Sequence, residues 1–139
     1  MVEDDELDVI SVQRSLKKLE IPHELHTAFN GIEALELLRG STGSQPMDPL
    51  PDIIMLDLNM PRMNGLEFLR ELRNDERLRS IRVFVMTTSG EQADRGVTGQ
   101  LGVEGYLVKP MSYGASYNRE GSMEHFVQFH LRNILTARE

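Results

Sequence analysis

The sequence predicts an α/β fold, a doubly wound parallel sheet with helices on both faces. Three observations predict it. First, Asp52-Ile53-Ile54-Met55-Leu56-Asp57 places four consecutive apolar residues between two acids, the pattern of a short strand buried on both faces. Second, Val83-Phe84-Val85-Met86 and Gly105-Tyr106-Leu107-Val108 repeat that pattern downstream. Third, amphipathic stretches separate these runs, so strands and helices alternate and the crossovers are right-handed. With 139 residues, the chain is the right length for one domain with one core, spanning 1–139.

Each element has its own signal. From Leu7 to Leu19, residues Val9, Val12, Leu16 and Leu19 fall at helical spacing, with Lys17, Lys18 and Glu20 off the stripe, and Pro22 ends the helix. His23 to Phe29 reads as a short strand, and Asn30-Gly31 as a turn. Ile32 to Arg39 is a short helix with Ile32, Leu35 and Leu38 on one side. Gly40 to Pro51 is rich in breakers and reads as a loop before the strand that ends at Asp57. Gly65 to Leu78 is a strong helix, with Leu66, Leu69 and Leu72 repeating every third residue beside Phe68. The strand Val83–Met86 runs into Thr87-Thr88-Ser89-Gly90. Gln92 to Leu101 is a weak helix, loosened by Gly96 and Gly99. The last strand ends at Lys109-Pro110, Met111 to Gly121 is a polar loop, and Met123 to Ala137 is a final helix with Phe126 and Ile134 inward. The alternation calls for a strand before the first helix, yet only Met1-Val2 precede the acids Glu3-Asp4-Asp5. Either the chain starts late or the first strand is a stub.

Composition narrows the function classes. There is no cysteine, which excludes disulfides, thiolate metal sites and cysteine nucleophiles, and fits a cytoplasmic protein. No apolar run nears the roughly 20 residues a membrane helix needs. The first residues are acidic where a secretory leader is basic. A net charge of −7, with basic residues scattered, does not favour nucleic acid. The four histidines show no metal-ligand spacing with one another, and the eight methionines read as core filler.

In a parallel sheet the strand carboxyl ends share one edge, and ligands bind there. The strands so placed end at Glu3-Asp4-Asp5, Asp57, Thr87 and Lys109. Crowded carboxylates repel unless a cation joins them. Hard oxygen donors favour Mg²⁺, which accepts one or two carboxylates plus a phosphoryl oxygen. A lysine charge and a hydroxyl complete a site for a phosphoryl group, whose transfer needs mainly positioning and neutralisation. Asp4 and Asp5 also suit a helix amino terminus, where acids favour the macrodipole.

Four blocks, Val2-Glu3-Asp4-Asp5, Asp57-Leu58-Asn59-Met60-Pro61 with Asn64-Gly65, Met86-Thr87-Thr88-Ser89, and Gly105-Tyr106-Leu107-Val108-Lys109-Pro110, resemble in order and spacing the receiver domain of bacterial two-component response regulators. The resemblance implies a five-stranded, flavodoxin-like sheet, whose first strand is a truncated stub here unless the chain starts late. It implies that Asp57 accepts a phosphoryl group from a sensor histidine kinase. It implies that Asp5 and Asp57 bind Mg²⁺ directly, Asn59 through its backbone carbonyl and Asp4 through a water. It further implies that Lys109 holds a phosphoryl oxygen, next to a cis bond at Pro110. By the same resemblance, Thr87 is expected to swing its hydroxyl to the phosphoryl group while Tyr106 turns inward, and Thr88, Asn59 and Ser89 are expected to tune access and lifetime.

The long Gly40–Pro51 loop and Thr87-Thr88-Ser89 resemble stand-alone receivers that partner phytochrome-type kinases. No helix-turn-helix or basic arm follows the last helix, so the expected output is a downstream protein target or a phosphotransfer protein, not nucleic acid or membrane. The last helix, with Phe126, Phe129, Leu131 and Ile134, is the expected homodimer surface. Two rivals stand beside this reading. One is a degenerate receiver that only scaffolds partners. The other is a phosphatase of the haloacid dehalogenase type, which wants a second acid where this chain has Asn59 and a cap domain that is not visible here.

Overall fold

The computed structural model describes residues 1–18, 20, 23–58, 63–88, 95–109, 126 and 131. In chain order the elements are α1 (Glu6–Lys18), α2 (Gly31–Arg39), β1 (Ile53–Asp57), α3 (Gly65–Arg73), β2 (Arg82–Thr88), α4 (Arg95–Gln100) and β3 (Gly105–Lys109). Among the described residues the regular strands form a parallel sheet in the order β1-β2-β3. Ile53 pairs with Arg82 and Asp57 with Met86, while Val85 pairs with Tyr106 and Thr88 with Lys109. All three strands therefore end on one edge.

The remaining two sheet positions are occupied by single bridges rather than strands. Val2 bridges in parallel to Leu56 on one side and to Ala28 on the other. Its neighbours complete the pairing. The Val2 N–H donates to Met55 O at 2.8 Å, the Asp57 N–H to Val2 O at 3.0 Å, and the Glu3 N–H to Ala28 O at 2.9 Å. Read across the sheet, the order is Ala28, Val2, β1, β2, β3, the doubly wound arrangement with its switch point between Val2 and β1. The stub is thus hydrogen-bonded on both sides. His23 to Thr27, where the sequence predicts a strand, has no strand pairing, and Ala28 makes the single bridge there. Burial lowers the Met1 amino group from 8.0 to about 6, and that group donates to His26 O at 2.8 Å.

The helices cover both faces. α1 packs Val9, Val12 and Leu16 with Met55, Phe84, Met86 and Leu107 on one face. Phe126 joins them, its ring edge-on to Phe84 at 5.0 Å between centroids and 72°. On the other face α2 and α3 bury Ala34, Leu35, Leu38, Phe68, Leu69 and Leu72 against Val2, Ile54, Leu56 and Val83. Adjacent strand residues fall into opposite cores, as the two-residue strand period requires. α3 stops at Arg73, short of the Leu78 that the periodicity predicts. Asp75 explains the stop. Its carboxylate accepts the Arg77 N–H at 2.9 Å and its carbonyl accepts those of Leu78 and Arg79, so a local turn replaces the helix while Leu78 still reaches the core. The weak helix begins at Arg95 among the described residues, and the predicted last helix lies outside them except for Phe126 and Leu131. No helix among the described residues is long and apolar enough to cross a membrane.

Candidate phosphoacceptor site

Asp57 is the last residue of β1 and is 6% exposed. The strand delivers it to the edge where all three strands end, and the next helix closes in behind it. Asn64 caps α3, accepting the Glu67 N–H at 3.0 Å while the Glu67 carboxylate accepts the Asn64 N–H at 3.4 Å. Gly65 donates to Leu58 O at 3.0 Å. A Cβ on Gly65 would lie 2.5 Å from Leu58 Cα and 2.6 Å from Asp57 O. Only glycine lets the helix approach the strand end so closely, and this contact fixes the backbone of Asp57.

Three carboxylates meet at this edge. Glu3, Asp4 and Asp57 each offer an oxygen, and the three oxygens lie within 4.8 Å of one another. Glu3 is fully buried, Asp57 nearly so, and Asp4 is exposed. The residue beside Asp57 is therefore Glu3, whereas the sequence reading placed Asp5 there. Register gives the reason. Val2 bridges Leu56, so the next residue on each strand, Glu3 and Asp57, are neighbours at the sheet edge. By Asp5 the chain has already turned into α1. The Asp5 carboxylate accepts the Leu7 N–H at 2.9 Å and its carbonyl accepts the N–H groups of Asp8 and Val9, so Asp5 is the helix cap. A signal was present in the sequence: Val2-Glu3 repeats Leu56-Asp57, an acid directly after the last apolar residue of a strand.

The other candidates are placed by backbone alone or not at all. Thr87 and Thr88 end β2, one and two residues beyond the partner of Asp57, and Lys109 ends β3 opposite Thr88. The side chains of these three lie outside the described residues, as do Asn59, Ser89 and Pro110 entirely. Tyr106 is half-buried on β3, and its hydroxyl shares a hydrogen bond with the hydroxyl of Thr98, a fully buried residue of α4 that sequence reasoning did not single out.

The model of the response regulator receiver domain family matches residues 1–116. The chain belongs to that family. The response regulator Rcp1 of Synechocystis sp. is 34% identical over 126 residues, which cover 91% of this chain and 85% of Rcp1. A solved structure of a two-component response regulator from Legionella pneumophila superposes with a TM-score of 0.73 at 35% identity, covering 91% of this chain and 92% of the other. The Mn²⁺-bound form of Rcp1 gives 0.68 at 36% identity over 81% and 80% of the two chains. The phosphorylated cyanobacterial phytochrome response regulator RcpA gives 0.70 at 33% over 90% and 89%. The receiver is accordingly a signalling phosphoacceptor domain of the two-component class, a family that takes phosphate from histidine kinases, and not a classical enzyme. Its acidic group, Glu3-Asp4-Asp57, can hold a metal ion.

Proposed function

We propose that Asp57 is the phosphoacceptor and that Glu3, Asp4 and Asp57 together bind Mg²⁺. The observation that carries this reading is the meeting of two buried carboxylates and one exposed one, within 4.8 Å, at the carboxyl edge of a parallel sheet. Carboxylates at that separation repel, and a hard dication with oxygen preference offsets the repulsion. Bound there, Mg²⁺ supplies positive charge against the phosphoryl oxygens. A carboxylate oxygen of Asp57 attacks the phosphorus of a kinase phosphohistidine; the new O–P bond forms as the N–P bond breaks, and the histidine leaves. Lys109, at the end of β3, adds a point charge for a phosphoryl oxygen. Thr87 supplies the hydroxyl that senses the group, Tyr106 the ring that follows it, and Thr88, Asn59 and Ser89 tune access and lifetime. The Mn²⁺-bound Rcp1 supports the choice of a divalent cation.

The partner is a sensor histidine kinase, of the phytochrome-linked kind given the likeness to RcpA. Leu7 and Ile10, exposed one turn apart on α1 just past the acidic group, offer apolar ground for it. The likeness to the response regulator Rcp1, with 85% of that protein covered, supports a stand-alone regulator whose output is a protein contact; a cytoplasmic location and pairing through the last helix belong to the same proposal. Incubation with Mg²⁺ and acetyl phosphate should add the mass of one phosphoryl group, and Asp57→Asn should abolish it. An unmodified wild-type protein would favour a scaffold, and steady turnover of phosphate esters would favour an enzyme.

A further inference from the structure

We propose that Thr98 is the positioning residue for Tyr106, and that this hydroxyl pair transmits the state of the Asp57 site to α4. The inference rests on the phosphoacceptor reading above and adds the route out of the site. Tyr106 lies opposite Val85 on β2, two residues before the pair Thr87–Val108, so it is one diagonal step from the strand end that flanks Asp57. Its hydroxyl meets that of Thr98, which is fully buried in the middle of α4.

α4 is suited to respond. Among the described residues it runs from Arg95 to Gln100 and includes Gly96 and Gly99, each of which weakens a helix, so it draws on tertiary contacts. Its carboxyl end is held firmly. The Arg73 guanidinium donates to Leu101 O at 2.6 Å and Gly102 O at 3.2 Å, and also to Arg79 O and Ile81 O at 2.8 Å each. The Leu101 and Val103 N–H groups both donate to Thr98 O. A displaced α4 must therefore pivot about the end that Arg73 grips, and Thr98 adjoins that pivot. Tyr106 bonded to Thr98 holds the helix in the arrangement seen. Tyr106 drawn toward Thr87 gives up that bond and frees α4. Phosphorylation then shifts a population between two arrangements, and the shift is limited by what each gains or loses.

The test compares wild type, Thr98→Val, Thr98→Ser, Tyr106→Phe and the double variant Thr98→Val/Tyr106→Phe, each in the full chain. Thr98→Val keeps the shape and removes the hydroxyl, and Thr98→Ser restores it. With Mg²⁺ and acetyl phosphate, Thr98→Val and Tyr106→Phe should each raise phosphorylation roughly five-fold, the worth of one neutral hydrogen bond. The double variant should match the singles, and Thr98→Ser should return to wild type. Additive effects in the double variant, or a Thr98→Val protein phosphorylated like wild type, would overturn the coupling. Amide shifts of Gly99 and Gly102 without phosphodonor give a second reading. They should move together in Thr98→Val and Tyr106→Phe, and independent movement would overturn the proposal even if the wild type accepts no phosphoryl group. That last result would sink the phosphoacceptor reading separately.

Discussion

Asp5 and Glu3 carry the same charge two residues apart, and the fold gives them different work. Glu3 is locked to the sheet edge by the bridge of Val2 to Leu56 and sits against Asp57. Asp5 spends its carboxylate on the Leu7 N–H. The two roles separate in a simple experiment. Glu3→Gln and Asp4→Asn should each weaken Mg²⁺ binding by about ten-fold, since a hard dication draws its affinity from the number of carboxylate charges. Asp5→Ala should leave Mg²⁺ affinity intact and instead cost about 1 kcal/mol of stability, the typical worth of a helix cap. Titration calorimetry and urea unfolding measure the two effects. Loss of Mg²⁺ binding in Asp5→Ala, with none in Glu3→Gln, would restore the assignment made from sequence. That assignment took the acids as a block and did not count register from the last apolar residue.

Among the elements, β1 and α3 were legible because their patterns are unambiguous: four apolar residues between acids, and leucines every third position behind Asn64-Gly65. What the pattern does not announce is that Gly65 is needed for approach rather than for a turn. Substitution by alanine would press a methyl against backbone atoms, Leu58 Cα and Asp57 O, which have no rotamer by which to escape. Gly65→Ala should therefore destabilise the fold by about 2 kcal/mol, as overpacking does, and should slow phosphorylation of Asp57 because the strand end moves. Gly31 makes a useful contrast. A Cβ there meets the Met63 side chain, Cγ at 2.8 Å, Sδ at 2.9 Å and Cβ at 3.1 Å; a new rotamer relieves the first two and a small shift the third, so Gly31→Ala should be milder than Gly65→Ala. Equal costs for the two alanines would argue against the close approach. The single-bridge edge at Ala28 and the early end of α3 were not legible, because each depends on a partner distant in sequence or on a side chain, Asp75, competing locally with the helix.

At the scale of the whole molecule, arginines at and beyond the ends of α2 and α3 brace the side opposite the edge that carries Glu3, Asp4 and Asp57. Arg39 at the end of α2 reaches Asp75 at 3.0 Å and Glu71 at 3.2 Å, and Arg77 donates to Leu38 O at 2.6 Å and Met47 O at 2.5 Å. These bonds tie α2, α3 and the loop before β1 into one base beneath the second core, leaving the acidic edge to change charge without disturbing it. The hydrogen bond from Arg39 holds the Asp75 carboxyl below its ordinary 3.8, with the backbone N–H of Arg77 adding to the effect. A carboxylate with a depressed folded value contributes stability above its unfolded value and loses it as pH falls through the folded one. The contribution of Asp75 should thus be whole at neutral pH and fade below pH 3.8. Asp75→Asn keeps the shape and removes the charge, so its stability should lie slightly below wild type at neutral pH and converge with it on acidification. The pair is solvent-facing, so added salt should narrow the neutral gap as well. Urea unfolding of both proteins across the acid range reads this directly. A gap that stays constant with pH would mean that Asp75 acts through its turn geometry alone and that the arginine base is held by its carbonyl contacts.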